Sequence, residues 1–237
     1  MTGGGWAPAA RLGRVPLPAE IGAQLWWNLP GLLGANLVFL LWCVPCAVLA
    51  LLRLPMGAVL VAPLTVGPGL AGLMRYAARL ARGEPATVWR DSLRGAQDGS
   101  GAASASVAVA VLAWQAHAVA LAGMAGRESG WASVPMWAGQ VSVLALAAMA
   151  GIHLFPLIGL YGQGLFEGAR NALVLSARHP GAATAMLGLG AGAWALSCAL
   201  GGAPLIILPA VMAVCAVNNT LRLCEGLYDA NARRHRR

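Results

Sequence analysis

Residues 29–52 form one run in which Asn36 is the only strongly polar side chain. About 20 such residues, rising ~1.5 Å each, make a helix that crosses the ~30 Å hydrocarbon core of a bilayer. A signal-peptide core is shorter, roughly 7–15 residues, and no convincing cleavage site follows. The run therefore reads as an uncleaved first span, with Trp26 and Trp27 at the interface. Further apolar segments cover 54–74, 102–124, 134–161, 182–200 and 203–223. They follow an N-terminal segment, 1–28, and precede a basic tail, 224–237. The expected fold class is all-α: a polytopic membrane bundle of six transmembrane helices. Only 10% of residues are charged, against about 25% in an ordinary soluble domain, too few to cover a water-facing surface.

The charge that remains is informative by position. All sixteen basic residues are Arg, set against eight acids, for a net charge of +8. Gathered on one face of a soluble domain, such an excess would suggest nucleic acid. Under six spans, however, 14 Arg lie on the side of both termini and only Arg53 and Arg127 on the other. The positive-inside rule then places the N and C termini in the cytoplasm, and no nucleic-acid partner is expected.

Pro55, Pro63 and Pro68 interrupt the second segment, so its helix is expected to be kinked or to begin late, near Gly57. It should continue beyond the membrane, because Arg75, Arg79 and Arg82 share one face at i, i+4 and i+7. The stretch from Gly83 to Gly101 is polar, and Glu84-Pro85 can start a short helix there with Val88, Trp89 and Leu93 on its apolar side. Arg75, Arg79, Arg82, Trp89, Arg90 and Arg94 are the expected contact surface. Anionic lipid headgroups are the first candidate partner and a docked protein the second.

Polar residues inside the spans are the other functional candidates, because each is costly in lipid. They are Asn36, Gln115, His117, Gln140, His153, Asn218 and Asn219. They serve either interhelical hydrogen bonds or a polar substrate path. His117 and His153 fall about 22 and about 12 Å from the cytoplasmic ends of their spans at ~1.5 Å per residue. That offset excludes a shared metal. No span core holds a carboxylate, which argues against a carrier driven by protons or sodium through a membrane Asp or Glu.

Two motifs imitate chemistry. Trp42-Cys43-Val44-Pro45-Cys46 resembles a thioredoxin active site, yet such a thiol needs an exposed helix N-terminus. Buried structural thiols are expected, with a redox role for Cys43 and Cys46 as the alternative. Gly67-Pro68-Gly69-Leu70-Ala71-Gly72 matches a dinucleotide fingerprint, which requires a strand before it and a helix after it. Within a membrane segment it reads as close helix packing, like Gly164-x-x-x-Gly168 and Gly188-x-x-x-Gly192. No phosphate-binding loop, metalloprotease helix or nucleophile elbow occurs. Neither enzymatic activity, nor a cofactor, nor a metal is expected.

Several stretches carry a family likeness: Trp27-Asn28, Val66-Gly67-Pro68-Gly69-Leu70-Ala71, Arg79-Leu80-Ala81-Arg82-Gly83-Glu84-Pro85, Leu154-Phe155-Pro156-Leu157, and the run from Arg170-Asn171 to His179-Pro180. Across most of residues 25 to 225 the chain resembles the YesL-like family of bacterial integral membrane proteins, whose molecular role is unassigned. The resemblance implies an inner-membrane protein that accompanies carbohydrate uptake transporters, in an accessory or permease-like role. Members usually carry more Lys and Phe after the second span, where this chain has Arg and Gly. Glu84 to Gln97 is the only candidate coupling helix for a transporter ATPase, and it lacks the expected glycine arrangement. Two other readings stand beside this one: a membrane thiol oxidoreductase using Cys43 and Cys46, and an assembly or scaffold protein.

Overall fold

The structure, a computed structural model, describes residues 17–125, 148 and 151–234. The helices are α1 (Leu17–Trp27), α2 (Leu29–Leu51), α3 (Pro55–Ala81), α4 (Val88–Ala125), α5 (Gly151–Tyr161), α6 (Leu165–Arg178), α7 (Pro180–Ala199) and α8 (Leu208–Arg234). A 3₁₀ turn, Ala203–Ile206, joins the last two. No strand occurs among the described residues. Among the described residues three helices, α2, α3 and α7, are long and apolar enough to cross a membrane.

The first hairpin is built from local rules. At the end of α2 the Leu54 N–H bonds to the Leu49 carbonyl at 2.9 Å and the Arg53 N–H to Ala50 at 3.0 Å. This is a Schellman cap, with Arg53 in the left-handed position at φ 58°. Proline then opens α3, where its missing N–H costs nothing. The helix runs on unbroken to Ala81 with Pro63 and Pro68 inside it. A second Schellman cap ends it: Gly83 (φ 68°) and Glu84 return N–H groups to Leu80 and Arg79.

Beyond that cap the structure departs from expectation. The short loop helix over Glu84-Pro85 is not a separate element. Helix α4 starts at Val88 and continues for 38 residues into the third apolar segment, about 57 Å at 1.5 Å per residue. Its Gly- and Ser-rich middle is helical because it packs along α3. A Cβ on Gly67 would lie 2.7 Å from the backbone of Ser104, and one on Gly95 would lie 2.8 Å from the Cα of Gly72. Gly72 itself abuts the Ser92 carbonyl, while Gly69 faces the other way, onto Trp42 and Phe39 of α2. The fingerprint-like glycines thus sit at two crossings, where small residues let backbones approach.

Helix α8 presents Ala210, Ala213, Val214, Val217 and Leu221 on one stripe. The stripe packs on Leu73, Ala77 and Leu80 of α3 and on Leu32 and Ala35 of α2, with Ile21 and Leu25 of α1 against the cluster. Helix α6 occupies a stretch expected to be a connection. Its buried face is Gly168, Ala172, Leu175 and Ser176, one helical stripe of mostly small residues.

Candidate functional site

Arg75, Arg79 and Arg82 line one face of α3, and Asp91 and Asp98 stand seven residues apart on α4. The antiparallel crossing turns these two faces toward each other. Arg79 Nη1 donates to Asp91 Oδ1 at 2.7 Å, and its Nε lies 3.2 Å from Glu84 Oε2. Asp91 is only 1% exposed and its second oxygen accepts the Thr87 N–H at 2.6 Å. Because Asp91 lies in the first turn of α4, the helix dipole also favours its negative charge. Arg75 pairs with Asp98 at the mouth of this region, where both side chains reach solvent. Arg82 has no carboxylate partner among the described residues. It donates to the Leu160 carbonyl at 2.5 Å and lies over the Tyr161 ring, 5.6 Å from its centroid, a cation–π geometry.

Helix α5 closes the third wall. Gly159 lets it approach, since a Cβ there would come within 2.8 Å of Met74. The result is a cleft of about 310 Å³ bounded by Arg75, Arg79, Arg82, Glu84, Asp98 and Tyr161. Three guanidinium groups face three carboxylates, counting Asp91 behind Arg79, so the charges balance. The wall offers fixed N–H donors, carboxylate acceptors and one aromatic face. Among the described residues no three His, Cys, Asp or Glu gather as a metal site.

The contact surface expected from sequence therefore divides. Arg75, Arg79 and Arg82 turn inward to the cleft, while Trp89, Arg90 and Arg94 are exposed on the other side of α4. Val88 packs against Gly34 of α2, and Trp89 beside it is exposed, as are Trp26 and Trp27.

The intramembrane polar set is scattered, and each member with a described partner bonds within the protein. Asn36, fully buried, donates its amide to the carbonyls of Leu205 and Ile206 at 3.0 and 2.7 Å. His153 Nδ1 is 2.9 Å from the Thr220 hydroxyl. Asn218 donates to Gln24 Oε1 at 3.0 Å and to the Val214 carbonyl. Asn219 is half-buried on α8, and Gln115 half-buried on α4. His117 belongs to α4, and Gln140 lies outside the described residues.

Cys43 and Cys46 sit well past the N-terminus of α2, and Cys46 Sγ lies 3.6 Å from the Ala58 carbonyl in the first turn of α3. The Thr65 hydroxyl donates to Val61 at 3.1 Å, which leaves its oxygen to accept the Cys46 thiol at 3.2 Å. The arrangement ties α2 to α3 and lacks the exposed helix start that thiol activation needs.

Sequence reasoning passed over Glu84, Asp91, Asp98 and Tyr161. A signal for two of them was present: acids seven residues apart on one face, downstream of arginines at i, i+4 and i+7. Comparison of the chain with protein-family models, curated proteins and solved structures gives no match.

Proposed function

We propose that the chain is a non-enzymatic protein of the bacterial inner membrane with six apolar segments in the bilayer and both termini in the cytoplasm. In this reading it recognises a small polar solute such as a carbohydrate, as an accessory or permease-like component of an uptake transporter. The α3–α4–α5 cleft supports the reading. Its volume is at the lower end of small-molecule sites, roughly 300–1,000 Å³. Its guanidinium and carboxylate groups match the donor and acceptor pairs of adjacent hydroxyls. The YesL-like resemblance points the same way. Trp89, Arg90 and Arg94 then hold the cytoplasmic surface against anionic headgroups.

The test is calorimetric titration of the protein in lipid nanodiscs with a panel of neutral mono- and disaccharides. Binding by a panel member is expected, weakened by Arg75→Gln and by Asp98→Asn. No binding by the wild-type protein to any member defeats the solute reading. Flux of the bound sugar into proteoliposomes would then separate a permease from an accessory subunit.

One observation favours the scaffold reading instead: Asn36, His153, Asn218 and Cys46 are each occupied in bonds within the bundle, which leaves few polar groups to line a path. A scaffold binds no sugar and retains the fold.

A further inference from the structure

Helices α7 and α8 were expected to cross the membrane fully and meet at a turn on the outer face. Their contacts place that turn elsewhere. Asn36 touches Leu205 and Ile206, and it stands only nine residues beyond Trp27, about 14 Å at ~1.5 Å per residue. Fifteen further residues of α2, about 22 Å by the same rise, separate it from Leu51. Helix α8 starts at this level and descends, reaching Gln24 of α1 through Asn218. Helix α7 runs beside it, with Gly190 against Met212. The upper part of the α2–α3 hairpin is left uncovered, with Leu41, Val44, Val48, Leu60 and Leu64 exposed.

The connection itself is apolar. From Leu200 to Val217 there is no charged residue, and residues 200–207 read Leu-Gly-Gly-Ala-Pro-Leu-Ile-Ile. Leu200, Leu205 and Ile206 are nonetheless exposed on the surface of the protein. Gly201, Gly202 and Pro204 are turn residues in any solvent, but no Asn, Asp or Ser accompanies them. The α2–α3 and α3–α4 connections carry charge, Arg53 in one and Arg82 and Glu84 in the other, and the α5–α6 connection, Gly162-Gln163-Gly164, is polar without it.

Non-helical backbone at membrane depth is tolerated only where its polar groups are satisfied. Here they are met from two directions. The Gly202 N–H returns to Ser197 at 2.7 Å, and Leu205 and Ile207 bond back to Gly202 and Pro204 at 3.0 Å. The carbonyls of Leu205 and Ile206 receive the two N–H donors of Asn36. Both N–H donors of the single costly polar residue of α2 are thereby accounted for.

We infer that α7, the Gly201–Ile207 turn and the start of α8 form a re-entrant hairpin. It enters from the cytoplasmic side and turns back inside the bilayer, with Asn36 capping its turn. This rests on the proposed orientation and refines the last two of its six segments: they enter the bilayer without crossing it.

Thiol accessibility tests the hairpin. Leu205→Cys and Leu52→Cys are each made in a chain whose five native cysteines are replaced by Ala. A membrane-impermeant maleimide is then applied to each face of sealed vesicles. The expected result is modification of Leu52→Cys from the outer face only, and loss of modification of Leu205→Cys from both faces. A spin label at 205 should also collide with dissolved oxygen and not with a water-soluble nickel chelate. Modification of Leu205→Cys from the outer face overturns the hairpin in favour of a full crossing. Modification from the cytoplasmic face overturns it in favour of a turn that never enters. If Leu52→Cys reacts only from the cytoplasmic face, the orientation fails while a protected Leu205→Cys keeps the hairpin. The unaltered protein supplies a second readout that depends on no substitution. Cys198, exposed and three residues before Gly201, should stay unmodified from both faces by mass spectrometry, and its modification from the outer face refutes the inference.

Discussion

Replacing Asp91 with Ala removes the most buried ionic contact of the cleft. Two bonds to its carboxylate disappear, one from Arg79 at 2.7 Å and one from the Thr87 N–H at 2.6 Å. A hydrogen bond to a charged group contributes about 1.5–3 kcal/mol, and a carboxylate in the first helical turn adds about 0.3–1 kcal/mol. Stranding a fully buried partner charge would cost about 3–5 kcal/mol. Arg79 is not stranded, because its side chain is 30% exposed and keeps Glu84 at 3.2 Å. Thr87 is exposed, so its N–H can turn to water. Discounting for these, Asp91→Ala should destabilise by about 2–3 kcal/mol, since only part of the gross bonding is lost. Asp91→Asn keeps the shape and one acceptor and should cost about 1 kcal/mol. Asp98→Ala is the internal control. It also breaks a pair with arginine, but the Asp98 side chain is 62% exposed, and such pairs contribute about 0–1 kcal/mol. Denaturant unfolding in mild detergent, followed by tryptophan fluorescence, measures all three. If Asp91→Ala and Asp98→Ala cost the same within about 0.5 kcal/mol, burial does not govern this cluster and the reasoning is wrong.

Gly67→Val should destabilise by more than about 2 kcal/mol, because the clash is with Ser104 backbone that cannot rotate away; Gly101→Val, with open space around it, should leave detergent chromatography unchanged. Asn36→Leu strands two carbonyls away from water and should cost about 2–4 kcal/mol, at about 1–3 kcal/mol per unsatisfied group, seen as a lower melting midpoint in nanodiscs. Cys46→Ala loses the weak thiol contacts to Thr65 and the Ala58 carbonyl and should cost about 0.5–1 kcal/mol. In the unaltered protein, Cys43 and Cys46 should resist impermeant maleimide from both faces, and rapid modification would revive the redox alternative.

What could be read from the chain follows whether the forces involved were local. The first helix of the hairpin was legible almost to the residue, because its length answers to bilayer thickness and its end to a turn rule. Helix α4 was not. Residues 95–101 carry no apolar period, and they are helical because Gly95 and Gly72 meet across a crossing. Helix α6 was hidden for a different reason: Glu167, Arg170 and Arg178 mark the stretch as a connection between apolar segments, although it is amphipathic and buries Ala172 and Leu175. In the cleft, the three arginines were visible as a stripe, whereas the pairing of Arg75 with Asp98 and of Arg79 with Asp91 depended on the α3–α4 register. Asn36 stood out as a costly residue, but its partners lie about 170 positions further along the chain, and no spacing rule reaches that far.

The two sides of α3 show how one helix separates two solvents at a single depth. Around Ala71 to Arg75, the side toward α4 and α5 holds Arg75 and Asp98 in an open cleft. The side toward α8 holds Leu73 and Ala77 against Val214. Under the proposed orientation, charged groups are tolerated at that depth only if water follows them in, which requires a cleft open to the cytoplasmic face. The re-entrant turn needs the opposite, since Leu205 and Ile206 present apolar surface outward while their carbonyls are spent on Asn36. Arginines belong to the first side and amide caps to the second. A scan that moves one charge around this level should therefore be tolerated toward α5 and rejected toward α8. Helix α3 would then be the wall between a wet cleft and a dry hairpin.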